Sequence, residues 1–587
     1  MSGGLKVLTA ALLGSAVGLL ALPSAAQEAP VTQDRLNNAD AEPQNWIIPF
    51  QNYSSHRYSR LDEINRDTVG DLRVAFTVPL SDTLRGRNLA DNEAAPLVDG
   101  GFMYIEGHSG FLYKIDMTSG VYGTVVWTAN ASPAAPGGAR TRGAAFYEDS
   151  VIMAVQDGRV VRVNRDTGEV VYDVQIARVV DEGHAGIEPQ SEQFNMNPLA
   201  MENRIIVGNA AGDAGTRGWV QAVDFATGEP MWRFYTVPGP GEFGHETWAD
   251  PAGVAWRTGG AAIWTGGSYD VAQRLYITGT AQPVPMFDPE YRPGDNLFSN
   301  SAIALDIDTG DLAWYFQYTP NESWDYDEQG VHMLIDAPWA GEDRQMVAHF
   351  GRNGFFYQLD RTDGTFINGV QYVNEITWTA GLDPKTGLPV EYNPDLELQT
   401  YIPETRWARA DAAAETACPY LPGGVRWQPP AYNPDTHIAY VGGEDGCQTR
   451  VIMPAITLAN GEIDEQGRTV PGTGVDTNIG GLLAAVDVTT GQVVGRVFQP
   501  YPNRSGALAT SGGLVFAAYN DGSLHAFNDE TLEELWTFYT GSGIKAPFVS
   551  FEINGKQYLA IVAGAQQDNQ PALGQRGWTN MLYVFTL

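Results

Sequence analysis

Asp325 and Asp327 stand one residue apart in a Trp324-Asp325-Tyr326-Asp327 run. On an extended segment, side chains at i and i+2 point to the same side. Two carboxylates so placed can hold a hard, oxygen-seeking cation, and one of them can also accept a proton as a general base. The plainer alternative is a solvated acidic turn, because Glu322 and Glu328 lie close by and the whole chain is acidic. The choice between the two depends on the frame that positions the run.

That frame is repetitive. Ala304-x-Asp306-x-x-Thr309-Gly310-x-x-x-Trp314 has the spacing of Ala222-x-Asp224-x-x-Thr227-Gly228-x-x-x-Trp232. Ala526, Asn528, Thr531 and Trp536 repeat it with Leu532 in place of the glycine. Asn164, Thr167, Gly168 and Tyr172 form a weaker copy, and Ala485, Asp487, Thr490 and Gly491 another, with Gly495 at the tryptophan position. Degenerate copies surround residues 116–120 and 360–364. Each unit reads as strand, tight turn, strand, and such a hairpin buries its apolar face only when copies stack radially. Seven copies, with room for further strands between residues 364 and 485, predict an all-β fold: an eight-bladed β-propeller with tryptophan-docking repeats. An array of β-sandwiches would not account for one turn motif recurring around the chain.

The 587 residues, with 66 Gly, 15 Trp and 26 Tyr and no low-complexity linker, suit one closed β domain over 27–587. A formal net charge of -35 argues against nucleic acid as a partner and suits a basic protein surface instead. Lys6, the apolar stretch 7–22 and Ser24-Ala25-Ala26 read as a signal peptide over 1–26, cut after Ala26. The stretch is short for a membrane span, so the mature chain is expected to be exported to a bacterial periplasm without a span. Cys418 and Cys447 are the two cysteines, and in an oxidising compartment a lone pair is most simply a disulfide. Without a Cys-x-x-Cys-His motif, no haem is attached in that way.

Several segments, in this order, resemble the pyrroloquinoline quinone (PQQ) dependent alcohol dehydrogenases, the quinoproteins related to methanol dehydrogenase. They are Arg292-Pro293-Gly294-Asp295-Asn296, Thr319-Pro320 leading into Trp324-Asp325-Tyr326-Asp327, Asn353-Gly354-Phe355-Phe356-Tyr357, and Thr540-Gly541-Ser542-Gly543-Ile544. The Cys418 and Cys447 pair, flanked by 427–433, matches a family disulfide, and the resemblance covers nearly all of the mature chain.

The resemblance implies a metal ion and PQQ together on the propeller axis, with hydride passing from an alcohol to the quinone. Asp325 falls on the position of the base and Arg352 on that of the basic residue at the quinone oxygens, where a guanidinium stabilises developing negative charge. Trp264 matches the indole under the flat cofactor, and Glu93 and Arg142 match polar contacts to it. For the metal, Asp213 stands where the family places a glutamate, and Gln282 where it places an asparagine. These substitutions keep oxygen donors but change their reach by a methylene in opposite senses. Asp327 matches members resembling the lanthanide enzymes, so Asp213, Asp325 and Asp327 would offer three negative charges. That favours a light lanthanide, with calcium the alternative, and disfavours magnesium, which dehydrates reluctantly.

The adjacent cysteine pair of the methanol enzymes is replaced by Pro136-Gly137-Gly138, which points to an alcohol larger than methanol. The implied electron acceptor is a separate cytochrome c, and a homodimer is the default oligomeric expectation. Two other readings are a quinoprotein for sugars, polyols or bulky secondary alcohols, and a non-catalytic propeller scaffold. The scaffold relatives carry a lipidated N-terminal cysteine, and no cysteine lies near Ala26. Segments 374–409 and 461–481 are expected as loops over the mouth of the axis, where specificity is set.

Overall fold

In each repeat the acidic or amide residue closes its own turn. Oδ1 of Asp224 accepts from the backbone N–H groups of Ala226 and Thr227 at 2.9 and 2.8 Å, and Asp306 and Asn528 do the same. The alanine of the motif then pairs directly with the tryptophan across the hairpin: Ala222 with Trp232, Ala304 with Trp314, Ala526 with Trp536. A shift of register follows immediately after each of these alanines.

The tryptophan of one unit docks on the turn of the next. Nε1 of Trp232 donates to Ile307 O at 2.8 Å, and Nε1 of Trp314 to Arg361 O at 3.1 Å. The indole lies so close to the receiving glycine that a Cβ on Gly310 would fall 2.6 Å from Trp232 Cδ2. Degenerate copies use the same seat with other residues. Where Gly495 replaces the tryptophan, the side chain of Leu532 fills the gap from the opposite side. Trp536 closes the series by donating to Leu72 O at 3.2 Å.

The structure, a computed structural model, describes residues 1, 28–80, 92–107, 110–131, 141–177, 192–406, 408–409, 416–452, 474–564 and 580–587. The expected signal segment and cleavage site, the Pro136-Gly137-Gly138 stretch and much of 461–481 lie outside these residues. The described strands form eight sheets, so the all-β propeller with eight blades is the observed architecture.

The eighth sheet does not come from the interval 364–485, where sequence spacing left room for it. That interval supplies the sixth sheet, whose strands Ile438–Ile452 and Gly474–Asp487 are long. The eighth is built from both ends of the chain: Arg73–Pro79 pairs antiparallel with Met581–Thr586, beside Lys556–Ala563 and Val549–Ile553. It carries no copy of the motif because the turn that would hold it is replaced by the join between distant segments.

First strands of neighbouring sheets touch around the axis, as Leu199–Met201 touches Ala145–Tyr147 and Ala431–Asn433 touches Ala507–Thr510. Residues just ahead of these strands therefore converge at one end of the axis. Among the described residues no helix is long and apolar enough to cross a membrane.

Candidate active site

Six of the residues at that end enter just ahead of a first strand. Glu93 precedes Leu97–Asp99, Arg142 precedes Ala145–Tyr147, and Trp264 precedes Ser268–Asp270. Asp325 and Asp327 precede His332–Trp339, and Arg426 precedes Ala431–Asn433. Asp213, Gln282 and Arg352 come from the connections that leave second strands at the same end.

The Asp325–Asp327 run is an irregular loop rather than an extended segment, and Asp325 has φ of +70°. The two carboxylates face one partner because the chain turns there. Oε1 of Glu322 holds the turn by accepting from the backbone N–H groups of Trp324 and Tyr326. The segment 374–406 packs on the outside of this loop: Trp324 donates to Thr405 O at 2.9 Å and Tyr401 donates to Pro320 O.

Arg352 is the partner. Its Nη2 donates to Asp325 Oδ2 at 2.9 Å and its Nη1 to Asp327 Oδ2 at 2.7 Å. Nε and Nη2 also donate to Leu421 O, and Gly423 packs so tightly that a Cβ there would fall 2.1 Å from Arg352 Cγ. The backbone N–H of Arg352 donates to Glu328, which in turn meets His349 Nε2 at 2.8 Å. Arg352 is buried, and burial lowers its tendency to hold a proton, but Asp325 and Asp327 more than reverse this.

Burial pushes the Asp325 carboxyl well above the usual carboxylate range; Arg352 opposes, and Asp327 and Asp213 push the same way as burial. Asp327 is raised for the same first reason.

Gln282 links the remaining acids. Its backbone N–H donates to Asp327 Oδ1 at 2.7 Å and its side-chain amide to Asp213 Oδ1 at 2.6 Å. Among the described residues, the one group of three ligand-type side chains drawn within 4.8 Å is Glu375 with Cys418 and Cys447. Those sulfurs are joined as the expected disulfide, so that group is no metal site. Asp213, Asp325 and Asp327 are held somewhat further apart by Arg352 and Gln282.

Asp213, Gln282, Asp327, Trp264, Arg142 and Arg426 line a cavity with an empty volume of about 610 Å³, part of it open to solvent. Gln329 fastens its floor by accepting from the backbone N–H groups of Trp264 and Thr265 at 2.9 and 3.1 Å. Arg142 donates to Trp264 O at 3.0 Å, stands 4.6 Å over the Trp264 ring, and pairs with Glu93 at 2.8 Å. All the residues singled out from sequence for this site are thus brought together. Sequence reasoning passed over Arg426, Asn195 and the role of Trp427, whose ring lies 5.3 Å from the Arg142 guanidinium. Their signal was position, since each precedes a first strand as Trp264 does.

Residues 46–375 match the family described as PQQ: glucose/ethanol/alcohol dehydrogenase, beta-propeller domain. The chain belongs to this PQQ-dependent dehydrogenase family. Quinoprotein alcohol dehydrogenase PedH of Pseudomonas putida is 32% identical over 574 residues, spanning 92% of this chain and 90% of PedH. The quinohemoprotein alcohol dehydrogenase of Comamonas testosteroni is 30% identical over 96% of this chain and 79% of its own length. A solved europium-containing methanol dehydrogenase superposes with TM-score 0.81 at 27% identity, covering 94% of this chain and 100% of that one. The quinohemoprotein alcohol dehydrogenase ADHIIG of Pseudomonas putida gives 0.83 at 28% identity, covering 95% and 83%.

A PQQ-family site must accept a flat anionic quinone and a cation, and the residues present fit both. The Trp264 ring is half-buried on the cavity wall, and Arg142 lies over it. Asn195 contributes a buried Oδ1 without a hydrogen-bond partner beside them. Asp213, Asp325, Asp327 and Gln282 are all hard oxygen donors. Turning the Gln282 amide would present Oε1 in place of Nε2, a choice that hydrogen bonding alone decides.

Proposed function

We propose that the chain is an exported quinoprotein alcohol dehydrogenase that oxidises an alcohol to an aldehyde or ketone. The observation that carries the reading is the buried fork of Arg352 on Asp325 and Asp327 at a cavity floored by Trp264. When bound, the quinone supplies a two-electron acceptor and the cation a Lewis acid. Asp325 accepts the alcohol proton as the general base. Arg352 orients that carboxylate and places positive charge where negative charge develops. Trp264 forms the platform, and Glu93 and Arg142 contact the cofactor's polar edge.

Asp213, Gln282, Asp325 and Asp327 hold the cation. Three carboxylates offset a trivalent charge better than a divalent one, which favours a light lanthanide over calcium. The remaining assignments are a signal peptide over 1–26, a mature propeller over 27–587 in the periplasm, a separate cytochrome c as acceptor and a homodimer. The test is reconstitution of purified apoprotein with PQQ plus lanthanum or calcium, followed by dye reduction with primary, secondary and polyol alcohols. Turnover with lanthanum supports the full reading. Turnover with calcium alone keeps the enzyme and removes the lanthanide assignment. Failure of PQQ to bind with either metal would leave a scaffold.

A further inference from the structure

One short segment touches both halves of the acid–guanidinium fork, and it is the segment that the disulfide ties down. Thr416–Ala417 pairs antiparallel with the long strand Ile438–Ile452, which sets Cys418 beside Cys447, and the two sulfurs are bonded. Beyond the bridge the chain leaves the sheet, and residues 418–424 form no strand. From this stretch Pro419 O accepts from the hydroxyl of Tyr326, the residue between Asp325 and Asp327, at 2.6 Å. Two residues on, Leu421 O accepts from Arg352 Nε at 3.0 Å and from Nη2 at 2.7 Å. The same Nη2 donates to Asp325 Oδ2. Gly424 N–H then donates to Arg352 O at 3.1 Å, which fixes the backbone behind the guanidinium. A third contact runs through Thr377, whose N–H donates to Cys418 O at 3.0 Å while its Oγ1 accepts from Cys418 N–H at 2.9 Å. The adjacent Trp378 donates from Nε1 to Asn353 O at 3.0 Å. Tyr326, Arg352 and Asn353 are thereby all referred to one covalent point.

We propose that the Cys418–Cys447 bridge is a positioning element of the reaction: it fixes the Pro419 and Leu421 carbonyls and, through them, the mutual placement of Asp325 and Arg352. This rests on the alcohol dehydrogenase reading above. Held by scattered hydrogen bonds rather than a ladder, the stretch 418–424 takes its placement from the cross-link at its start, which removes conformational freedom the loop would otherwise have. A hydrogen bond weakens steeply as its angle opens, so a carbonyl free to wander cannot set the direction of Nη2. Neither cysteine lines the cavity, so the effect reaches the reacting groups only through Tyr326, Arg352 and Asn353. The competing role is a brace of the sixth sheet, to which the fork is indifferent.

The test compares the natural protein with the double variant Cys418→Ala/Cys447→Ala and with Tyr326→Phe, which keeps the ring and the bridge and removes only the hydroxyl. Trp232→Ala, a lesion of blade docking outside the site, is the control for lost stability. Kinetics with 1-butanol use enzyme reconstituted with PQQ and whichever of lanthanum or calcium supports turnover. A PQQ titration and hydrogen–deuterium exchange of each apoprotein accompany them. The double variant is expected to lose about 100-fold in kcat, the scale of a misplacement near 1 Å, with KM and PQQ affinity almost unchanged. Tyr326→Phe should lose about 10-fold, the scale of one hydrogen bond. In the apoprotein of the double variant, exchange over 324–327 and 352–354 should quicken, which Trp232→Ala should not produce. An unmoved kcat in either site variant overturns the proposal. So does faster exchange confined to 416–424 and 445–451, which would leave the bridge a brace of its own sheet. A loss of kcat equalled by Trp232→Ala assigns the effect to stability, and PQQ affinity lost together with kcat assigns it to the shape of the cavity; each overturns the proposal. If the double variant does not fold, Tyr326→Phe decides alone. If the natural protein neither binds PQQ nor turns over alcohol, the dehydrogenase reading falls and takes the bridge's part in the reaction with it.

Discussion

Arg352 Nη2 donates to Asp325 Oδ2 across 2.9 Å while the same guanidinium holds Asp327, so the two acids are oriented by one planar group. Lysine carries the charge but cannot reproduce the fork. Asp325→Asn is expected to lower kcat about 1000-fold while leaving the fold intact, as checked by near-ultraviolet circular dichroism. Arg352→Lys is expected to lose about 100-fold, and Arg352→Ala additionally to destabilise the apoprotein by about 3–5 kcal/mol in urea titration, because two buried acids lose their counter-charge.

Asp327 is where the metal assignment is most exposed. Its Oδ1 accepts from Gln282 N–H and its Oδ2 from Arg352, so removing the side chain leaves Asp325 in place. In Asp327→Ala, titration with lanthanum and calcium should show lanthanum affinity falling at least about 10-fold more than calcium affinity, since a trivalent ion gains more from each carboxylate. Equal losses for both ions would remove the lanthanide preference.

The blades and the site were legible to different degrees. The Asp-x-x-Thr-Gly turn and its tryptophan are local, and both partners of contacts such as Trp232 on Ile307 and Trp314 on Arg361 belong to the repeat, so seven blades could be read directly. The eighth could not, because Arg73–Pro79 and Met581–Thr586 are joined only in space. At the site, Asp325, Asp327 and Arg352 stood in recognisable segments. Arg426 did not, since an arginine becomes informative only when its neighbours fail to pair it. The extended geometry assumed for 325–327 was wrong, because the positive φ of Asp325 depends on Glu322 capping the turn.

Docking between blades can be tested on Trp232 and Gly310, which belong to neighbouring sheets. Trp232→Ala removes the indole and its hydrogen bond to Ile307 O and should cost about 3 kcal/mol. Gly310→Ala forces a Cβ against that indole and is strained at φ of +77°, so it should cost a similar amount. In the double variant the clash has no partner, so urea titrations should give a loss smaller than the sum of the two. Strict additivity would mean that the two residues do not interact.

Glu106 offers a pH-dependent test away from the acidic cluster. It ends the strand Phe102–Glu106, is buried, and burial pushes its carboxyl up to about 8, with the Thr141 side chain opposing. In the unfolded chain it titrates near 4.5. Between these values the folded form holds a proton that the unfolded form has lost. Its contribution is therefore fully present below about pH 4.5 and is lost as pH rises through about 8, a change on the order of 5 kcal/mol. Glu106→Gln keeps a neutral amide at every pH. The melting temperature of the natural protein should fall relative to that of Glu106→Gln between pH 6 and pH 9, and the two curves should run parallel above pH 9. Parallel curves over the whole range would place an unrecognised cation beside Glu106.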